Sequence, residues 1–357
     1  MSRRLSRNLA YVADQPWALH YPAAERMLAI IERRIGGHRL TQSEIDDAVA
    51  VDRDAYAARR NAARHVGSRT SGAVAVVPIY GTILGREWEF TEASHGGTTS
   101  AEGLTRTLRA LDADPGVGSI LLDIDSPGGS VANLPETAAV IAALAKPVVA
   151  HVNTMAASAA YWLASQADEI VASPSAELGS IGVYTMHIDE REALAAEGVS
   201  VEIIRAGDHK VAANPFEELT AEARADIQQG VDEFHAMFLT AVGAGRGVSR
   251  SKVRSEFGDG RMFRAAESVQ RGMADRIATY DDTVARLAGG KYPKPRALAT
   301  ASRIVVSSIA HTTDATIDVP DEILEVTEAV EVVALLATLD TPIAADLDLR
   351  RRRLRLI

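Results

Sequence analysis

Three short segments of the sequence place polar or glycine residues directly after apolar, strand-like runs. The first reads Asp-Ser-Pro-Gly-Gly-Ser from Asp125 to Ser130 and follows the run Ser119–Ile124. Paired glycines after a strand allow a close approach to the backbone and present successive N–H groups, which can stabilise the oxyanion of an acyl-transfer intermediate. Gly128 and Gly129 are therefore candidate oxyanion residues, although the same letters alone also fit an ordinary tight turn.

The second segment contains a serine among small residues where a strand gives way to a helix. Ser158 stands in the run Ala-Ala-Ser-Ala-Ala, which leaves space for a substrate carbonyl. A hydroxyl at a helix N-terminus meets the positive end of the helix dipole, which favours a developing alkoxide. Ser158 is a candidate nucleophile, and a plain N-cap serine is the alternative. The sequence has no G-x-S-x-G motif of the esterase type.

The third segment is Ala-Gly-Asp-His-Lys, ending at Lys210, after the apolar run Val201–Arg205. A lysine can deprotonate a serine only when burial or a positive neighbour favours its neutral form, and Ser–Lys pairs are a known variant of serine hydrolases. Lys210 is a candidate general base, and a solvated loop lysine is the alternative.

Elements that could position these residues extend from Ala73 to about Tyr280. Short apolar runs alternate there with alanine-rich stretches, a pattern typical of an α/β core with a largely parallel sheet. The pattern predicts strands at 73–79, 119–124, 147–152, 169–172 and 201–205, and helices at 103–112, 135–145 and 158–166.

Both ends of the chain differ from this core. Residues 1–70 are rich in alanine and arginine, with a helix predicted from Tyr21, and suggest a helical N-terminal extension before a core at 71–285. Residues 286–357 contain a proline-bearing linker, nine acidic residues without Lys or Arg between 312 and 346, and a basic end. Opposite charge blocks are typical of a mobile or partner-binding tail, so we expect a partly disordered scaffold or docking segment.

Composition narrows the function classes. The 357 residues include no cysteine, which excludes disulfide scaffolds, Cys-ligated metals and thiol nucleophiles. The net charge of −10 and the aromatic content of 5% argue against a nucleic-acid partner. No HExxH-like spacing occurs, so we expect no metal and no cofactor. Without a membrane-spanning or signal-like apolar run, we expect a soluble, cytoplasmic protein with no membrane partner.

Together, these segments resemble peptidase family S49, which contains signal peptide peptidase A (protease IV) and the phage prohead, or capsid maturation, proteases. The resemblance rests on the Asp-Ser-Pro-Gly-Gly turn, the runs Met155–Val183 and Ala206–Leu219, and the closing segment Gly272–Ile277, in that order. It covers about residues 73–277 and implies a ClpP/crotonase-like α/β fold that acts through a Ser–Lys dyad.

The resemblance assigns roles to individual residues. It implies that Ser158 is the nucleophile, that Lys210, 52 residues later, is the general base, and that Gly128 and Gly129 belong to the oxyanion loop. It also implies that Ser180 supports the lysine. The phage branch more often has a lysine where Asp208 stands, and a carboxylate close to an ammonium favours its charged form, which would oppose base activity.

Two histidines are alternative bases. His187 follows Ser158 by 29 residues and would suit a ClpP-type Ser–His–Asp triad, and His209 lies next to Lys210.

The absence of a membrane anchor, the Arg-bearing N-terminus and the charged tail favour the phage branch of the family. We therefore expect a head maturation protease that cleaves scaffold, portal or capsid proteins, or itself. The family further implies a homo-oligomer, in some members with the serine and lysine of one site on different subunits. The alternatives are a soluble, cytoplasmic, signal-peptide-peptidase-like enzyme that degrades peptides, and a non-catalytic capsid scaffold protein that retains the fold.

Overall fold

The computed structural model describes residues 16–24, 72–86 and 98–293, in which strands and helices alternate along the chain. The strands are β1 (Trp17–Leu19), β2 (Ala73–Tyr80), β3 (Thr82–Leu84), β4 (Thr98–Ser100), β5 (Val117–Ser126), β6 (Gly128–Ser130), β7 (Val148–Ala157), β8 (Glu169–Ala172), β9 (Glu177–Gly179), β10 (Met262–Arg264) and β11 (Arg276–Ile277). The helices are α1 (Ala101–Ala113), α2 (Leu134–Ala143), α3 (Ala159–Ala164), α4 (Arg191–Ala196), α5 (Ala221–Arg246), α6 (Arg250–Glu256), α7 (Ala265–Arg271) and α8 (Tyr280–Ala288).

The larger sheet has its strands in the order β10-β9-β7-β5-β2, and β8 pairs with both β7 and β11. Its pairings are parallel except for that of β9 with β10, which is antiparallel. The predicted α/β class with a largely parallel sheet is therefore confirmed. The carboxyl end of β7 leads directly to Ser158, which places the candidate nucleophile at the edge of the sheet where parallel α/β folds carry their ligands.

Apolar side chains cover both faces of this sheet, which explains the continuous apolar runs in the sequence. Side chains of alternate residues point to opposite faces, so Val77 and Ile79 join the main core while Val74 and Val76 join a second cluster. Helix α8 covers the second cluster through Leu287.

The main core is closed by helices that pack on the other face. The indole of Trp162 in α3 stacks on Phe238 of α5, with ring centroids 4.6 Å apart and planes 14° apart. Thr220 caps α5 by accepting a hydrogen bond from the backbone N–H of Ala223, 3.1 Å away, and Gly247 ends it in a left-handed conformation. The short helix α3 is thus fixed against the longest helix of the described residues.

A smaller, four-stranded sheet has the order β1-β6-β3-β4. Strand β3 pairs in parallel with β4 and β6, whereas β1 pairs with β6 in antiparallel orientation. This sheet contains both candidate oxyanion glycines, because Gly128 and Gly129 open β6.

Two expectations need correction. Residues 17–19 were assigned to a helical extension, but they form β1, whose backbone pairs with β6 in the core. Residues 201–205 were predicted as a strand, but they carry no strand and lie mostly exposed, because among the described residues no neighbouring strand pairs with them. The helix predicted from Tyr21 does begin there, and the rest of the predicted extension and the C-terminal tail lie outside the described residues.

A buried polar cluster lies on the second face of the larger sheet. The hydroxyl of Tyr80 donates to the carboxylate of Asp123, and Nε2 of His151 lies 3.0 Å from the Ser173 hydroxyl. The ring of Tyr280 packs edge-on against His151 at 5.5 Å. Burial, with a smaller contribution from the charge of Arg276, lowers the pKa of His151 from 6.5 to about 4. This histidine is therefore neutral in the folded protein at neutral pH.

The pKa of His151 predicts how stability depends on pH. Between pH 6.5 and about 4 the unfolded chain binds a proton that the folded chain does not, so the free energy of unfolding decreases as the pH falls through this window. The contribution reaches about 3 kcal/mol at the acid end. Urea unfolding of the wild type and of His151→Gln, which keeps a polar group near Ser173, measures it. An equally steep pH dependence in the variant would contradict the assignment to His151.

Candidate active site

Ser158 occupies a strained position between β7 and α3. Its backbone has φ 55° and ψ −118°, a region that residues with a side chain rarely adopt and that costs roughly 1–3 kcal/mol. The Ser158 N–H donates to the carbonyl of Gly179 at 2.8 Å, and the Ser158 carbonyl accepts from the N–H of Trp162 at 2.9 Å. The side chain makes no cap to the helix, so the predicted alternative of a plain N-cap serine does not describe it. Strained serines at strand-to-helix turns are typical of nucleophiles.

Small side chains around Ser158 make this turn possible. Ala156, Ala157, Ala159 and Ala160 are all fully buried, and Ser158 itself is only 1% exposed. Its Oγ lies 3.4 Å from the carbonyl oxygen of Gly182, a long contact that leaves the hydroxyl weakly held. The Ser158 hydroxyl is therefore enclosed by the protein, and no strong hydrogen bond holds it.

The two candidate oxyanion glycines form a short strand beside this serine. A methyl group added at Gly128 would lie 2.9 Å from Ala157 O and 3.0 Å from Ala159 N, so Gly128 packs directly against the backbone on either side of Ser158. The Gly128 N–H donates to the Ser126 hydroxyl at 3.1 Å. A methyl group at Gly129 would lie 1.8 Å from Ile83 O, which explains why only glycine fits there.

Sequence reasoning missed one further candidate oxyanion donor, the backbone N–H of Ala159. Ala159 is the first residue of α3, so its N–H has no acceptor within the helix. The Ala159 nitrogen would lie 3.0 Å from a Cβ added at Gly128, so this N–H lies next to both Ser158 and the candidate oxyanion glycines. The residue after a nucleophile often supplies such a donor, which is the signal that could have found it.

Backbone hydrogen bonds hold Ser180 close to Ser158, the candidate nucleophile. Its N–H donates to the carbonyl of Arg261 at 2.7 Å, and its φ of 55° matches that of Ser158. The preceding Gly179 accepts the hydrogen bond from Ser158 N–H, so Ser180 and Ser158 are held by neighbouring peptide groups. Both serines are buried.

Lys210 is not brought to Ser158 within this single chain. It lies exposed in a turn closed by a hydrogen bond from its own N–H to Gly207 O at 3.2 Å. Across residues 16–24, 72–86 and 98–293 its ammonium has no hydrogen-bond or ion-pair partner. Asp208 is exposed in the same turn.

The alternative bases do not hydrogen-bond to Ser158 either. His209 is exposed, with its Nε2 4.0 Å from a carboxylate oxygen of Glu222. His187 lies near Asp189, whose pKa is lowered to about 2, chiefly by hydrogen bonds from Arg191 and slightly by His187. Nε2 of His187 is buried without a hydrogen-bond partner among the described residues.

The described residues contain neither a candidate metal site nor a helix that could span a membrane. In the part of the chain that the structure describes, no group of three or more His, Asp or Glu side chains is arranged to bind a metal ion. Within the same ranges, no helix has the length and apolar character needed to cross a bilayer.

The strained serine, the adjacent N–H groups and the largely parallel sheet define the class of an α/β serine hydrolase. Comparison with known families agrees. The model of the Clp protease family matches residues 79–178, and that of peptidase family S49 matches residues 142–292.

Two phage proteins are similar to most of this chain. Capsid assembly protease C of Escherichia phage lambda is 30% identical over 354 residues, which cover 91% of this chain and 80% of that protein. Head-tail preconnector protein GP5 of Enterobacteria phage P21 is 32% identical over 295 residues, which cover 81% of this chain and 58% of that protein. The chain therefore belongs to peptidase family S49, a family of serine peptidases.

Among solved structures, a ClpP1 mutant from Listeria monocytogenes is similar with 16% identity and a TM-score of 0.37. The match covers 58% of this chain and 94% of that chain.

The contact of Gly129 with β3 predicts the effect of a methyl group. Gly129→Ala is expected to lower the free energy of unfolding by about 1–3 kcal/mol, because the new Cβ would push the backbone of β6 away from Ile83. Gly182→Ala is the matched control, since nothing lies within 4 Å of its added methyl group. Thermal unfolding compares the two, and equal midpoints would show that β6 does not lie this close to β3.

Proposed function

We propose that this chain is a serine endopeptidase of phage head maturation, with Ser158 as nucleophile and Lys210 as general base. The observation that carries the proposal is the strained, buried Ser158 beside the N–H of Ala159, which has no acceptor within its helix, and beside the glycines of β6. This combination offers an attacking oxygen and oxyanion donors at one point.

The proposed reaction follows from these positions. The Ser158 Oγ attacks the scissile carbonyl, and its proton passes to a neutral Lys210 amine. The N–H groups of Ala159 and Gly129 stabilise the negative charge on the carbonyl oxygen of the tetrahedral intermediate. The lysine then gives its proton to the leaving amine, and water hydrolyses the acyl-enzyme by the reverse path. Ser180 would orient the lysine at this stage.

The lysine of each site comes, in our proposal, from a second copy of the chain. Helix α5 leads away from the nucleophile's helix, since from Phe238, which stacks on Trp162, back to Thr220 it rises about 27 Å. The segment with Lys210 precedes that distant end. An exposed ammonium stays charged, whereas burial against a neighbouring subunit would favour the neutral amine that can accept a proton.

The segment before Lys210 provides a surface for such a neighbour. Val199 and Val201 are exposed, and Ile204 is 94% exposed in a segment without strand partners among the described residues. Clustered exposed apolar side chains are a suitable surface for association of two copies. A second copy that buries this segment would also bury the turn with Lys210.

The two similar phage proteins suggest the biological role. They are named as a capsid assembly protease and a head-tail preconnector, so we propose that this chain cleaves proteins of the phage head, such as scaffold or portal, or itself. The site of action would be the host cytoplasm or the prohead, and neither nucleic acid nor a membrane would be a partner.

A second candidate function is supported by similarity to cellular peptidases. Protease 4 of Haemophilus influenzae is 30% identical over 220 residues, which cover 59% of this chain but 34% of that protein. This candidate is a peptidase that degrades free peptides rather than head proteins.

Co-expression with phage head proteins, such as scaffold, portal and capsid protein, tests the proposed function. The wild type is expected to process at least one of them, whereas Ser158→Ala and Lys210→Ala should lower the cleavage rate at least 10³-fold, because each removes one half of the dyad. Gel analysis and mass spectrometry of the products measure the rates. His209→Ala and His187→Ala are the controls and should retain activity.

Mixing the two inactive variants tests whether the dyad is shared. If neighbouring copies supply serine and lysine, random assembly of Ser158→Ala with Lys210→Ala restores roughly a quarter of the sites. Unchanged gel patterns between wild type and Ser158→Ala would contradict the protease and favour a non-catalytic scaffold. Cleavage of free peptides but of no head protein would favour the second candidate.

A charge at Ile204 should weaken association. Ile204→Glu is expected to raise the dissociation constant of the oligomer at least tenfold, because it places a carboxylate in an apolar contact. Met237→Glu is the matched control, since Met237 is 38% exposed on α5, away from this segment. Sedimentation velocity at several concentrations measures the effect, and equal dissociation constants would contradict the proposed interface.

A further inference from the structure

Strand β1 lies between β6 and Tyr184, and both of these backbone segments are close to Ser158: β6 through Gly128, and Tyr184 through the nearby Gly182 carbonyl. On one side, Trp17–Leu19 pairs with Gly128–Ser130 in antiparallel register. On the other, the Trp17 N–H donates to Tyr184 O at 2.7 Å and the Tyr184 N–H donates to Trp17 O at 3.0 Å. Strand β1 is therefore hydrogen-bonded along both of its edges, next to the proposed nucleophile of the same chain.

The pairing engages one of the candidate oxyanion groups. The His20 N–H donates to Pro127 O at 2.8 Å, and the Val131 N–H donates to Pro16 O at 3.4 Å. Hydrogen-bonded pairs alternate in an antiparallel ladder, so the pair between these two, Ala18 with Gly129, exchanges its hydrogen bonds as well. The Gly129 N–H is thus held by the carbonyl of Ala18.

The Ala18 carbonyl also reaches the space next to the nucleophile. The position of a methyl group at Gly128 would be 2.3 Å from Ala18 O and 3.0 Å from Ala159 N. The Ala18 carbonyl of β1 and the Ala159 N–H of α3 therefore both lie close to Gly128. This arrangement accounts for the enclosure of Ser158.

We propose that residues 16–20 are a built-in pseudosubstrate, which takes the strand position that a peptide substrate takes during cleavage. The inference rests on the proposed function, because it assumes that Ser158 is the nucleophile. A peptide recognised by strand addition needs a free backbone edge, and β1 occupies one edge of β6, the strand whose Gly128 packs against the backbone on both sides of Ser158. A substrate enters only after β1 leaves.

The side chains of β1 indicate the class of peptide that this position accepts. Ala18 points into the main core, which contains Ala156 and Ala159 on either side of the nucleophile. Trp17 and Leu19 point to the opposite face, where they pack with Leu84 in a separate apolar cluster. The site should therefore prefer an extended peptide with a small residue flanked by large apolar residues.

A reversible disulfide tests the proposal in the full-length protein. Trp17 and Ser130 form a non-hydrogen-bonded pair, for which the Cα atoms are about 4.5 Å apart, within the range of a disulfide. The chain has no cysteine, so Trp17→Cys with Ser130→Cys can form only this intramolecular bond. With Ser158→Ala added, binding can be measured without cleavage.

The probe is a fluorescent peptide with the sequence of residues 14–22, and its anisotropy reports binding. The reduced double-cysteine protein is expected to bind it at least tenfold more tightly than the oxidised protein. The two single-cysteine variants should not respond to oxidation. A peptide with Trp in place of the residue that corresponds to Ala18 should bind at least tenfold more weakly.

Each outcome of the peptide-binding experiment supports or overturns the proposed pseudosubstrate. Equal binding by the oxidised and reduced forms, or no binding by the folded, reduced form, would overturn the pseudosubstrate. Redox-dependent binding together with an inactive wild type would keep the pseudosubstrate and refute the proposed peptidase, so the two failures are distinguishable.

Hydrogen exchange in the wild type provides a measurement that needs no substitution. If β1 opens locally to admit a substrate, the amides of Trp17 and Ala18 exchange faster than those of β5 and β7. Exchange of these amides only at the rate of global unfolding would overturn the proposal, even if the double-cysteine variant does not fold.

Discussion

The backbone of Ser158 is the constraint on which the rest of this structure depends. A residue with a side chain is held at positive φ only if its surroundings leave no alternative, and here the hydrogen bond from its N–H to Gly179 and the packed α3 do so. The small residues on either side, the stacking of Trp162 on Phe238 and the close approach of Gly128 all follow from the need to hold this one turn. Rigid support of this kind positions a nucleophile more accurately than a surface loop can.

The sequence predicted most of the core because its strands are buried on both faces. A strand such as β2, with the sequence Ala-Val-Ala-Val-Val-Pro-Ile-Tyr, is apolar along its whole length, and this run is visible without knowledge of its neighbours. Strand β1 was missed because three residues carry too little pattern, and their conformation depends on pairing with residues more than 100 positions away. The wrong strand at 201–205 is the converse case, in which an apolar pattern lacks a partner in the described chain.

Prediction of the site had different limits. Ser158, Gly128 and Lys210 were predicted from residue type, order and resemblance; the structure places Gly128 beside the backbone of Ala157 and Ala159, and the catalytic roles stay predictions. Residue letters could not single out the Ala159 N–H as a candidate donor, because every residue but proline has an N–H and only geometry selects one. Nor could they show that Lys210 lies exposed while Ser158 is enclosed, because burial depends on tertiary packing.

The reach of α5 has a kinetic consequence. If, as we propose, the serine and the lysine of one site come from different copies because α5 leads away from Ser158, a complete dyad requires an encounter between two chains. The rate per chain then rises with concentration until assembly saturates, as mass action demands. Such a catalyst is silent while newly made copies are dilute, and it switches on where many copies are gathered into a small volume.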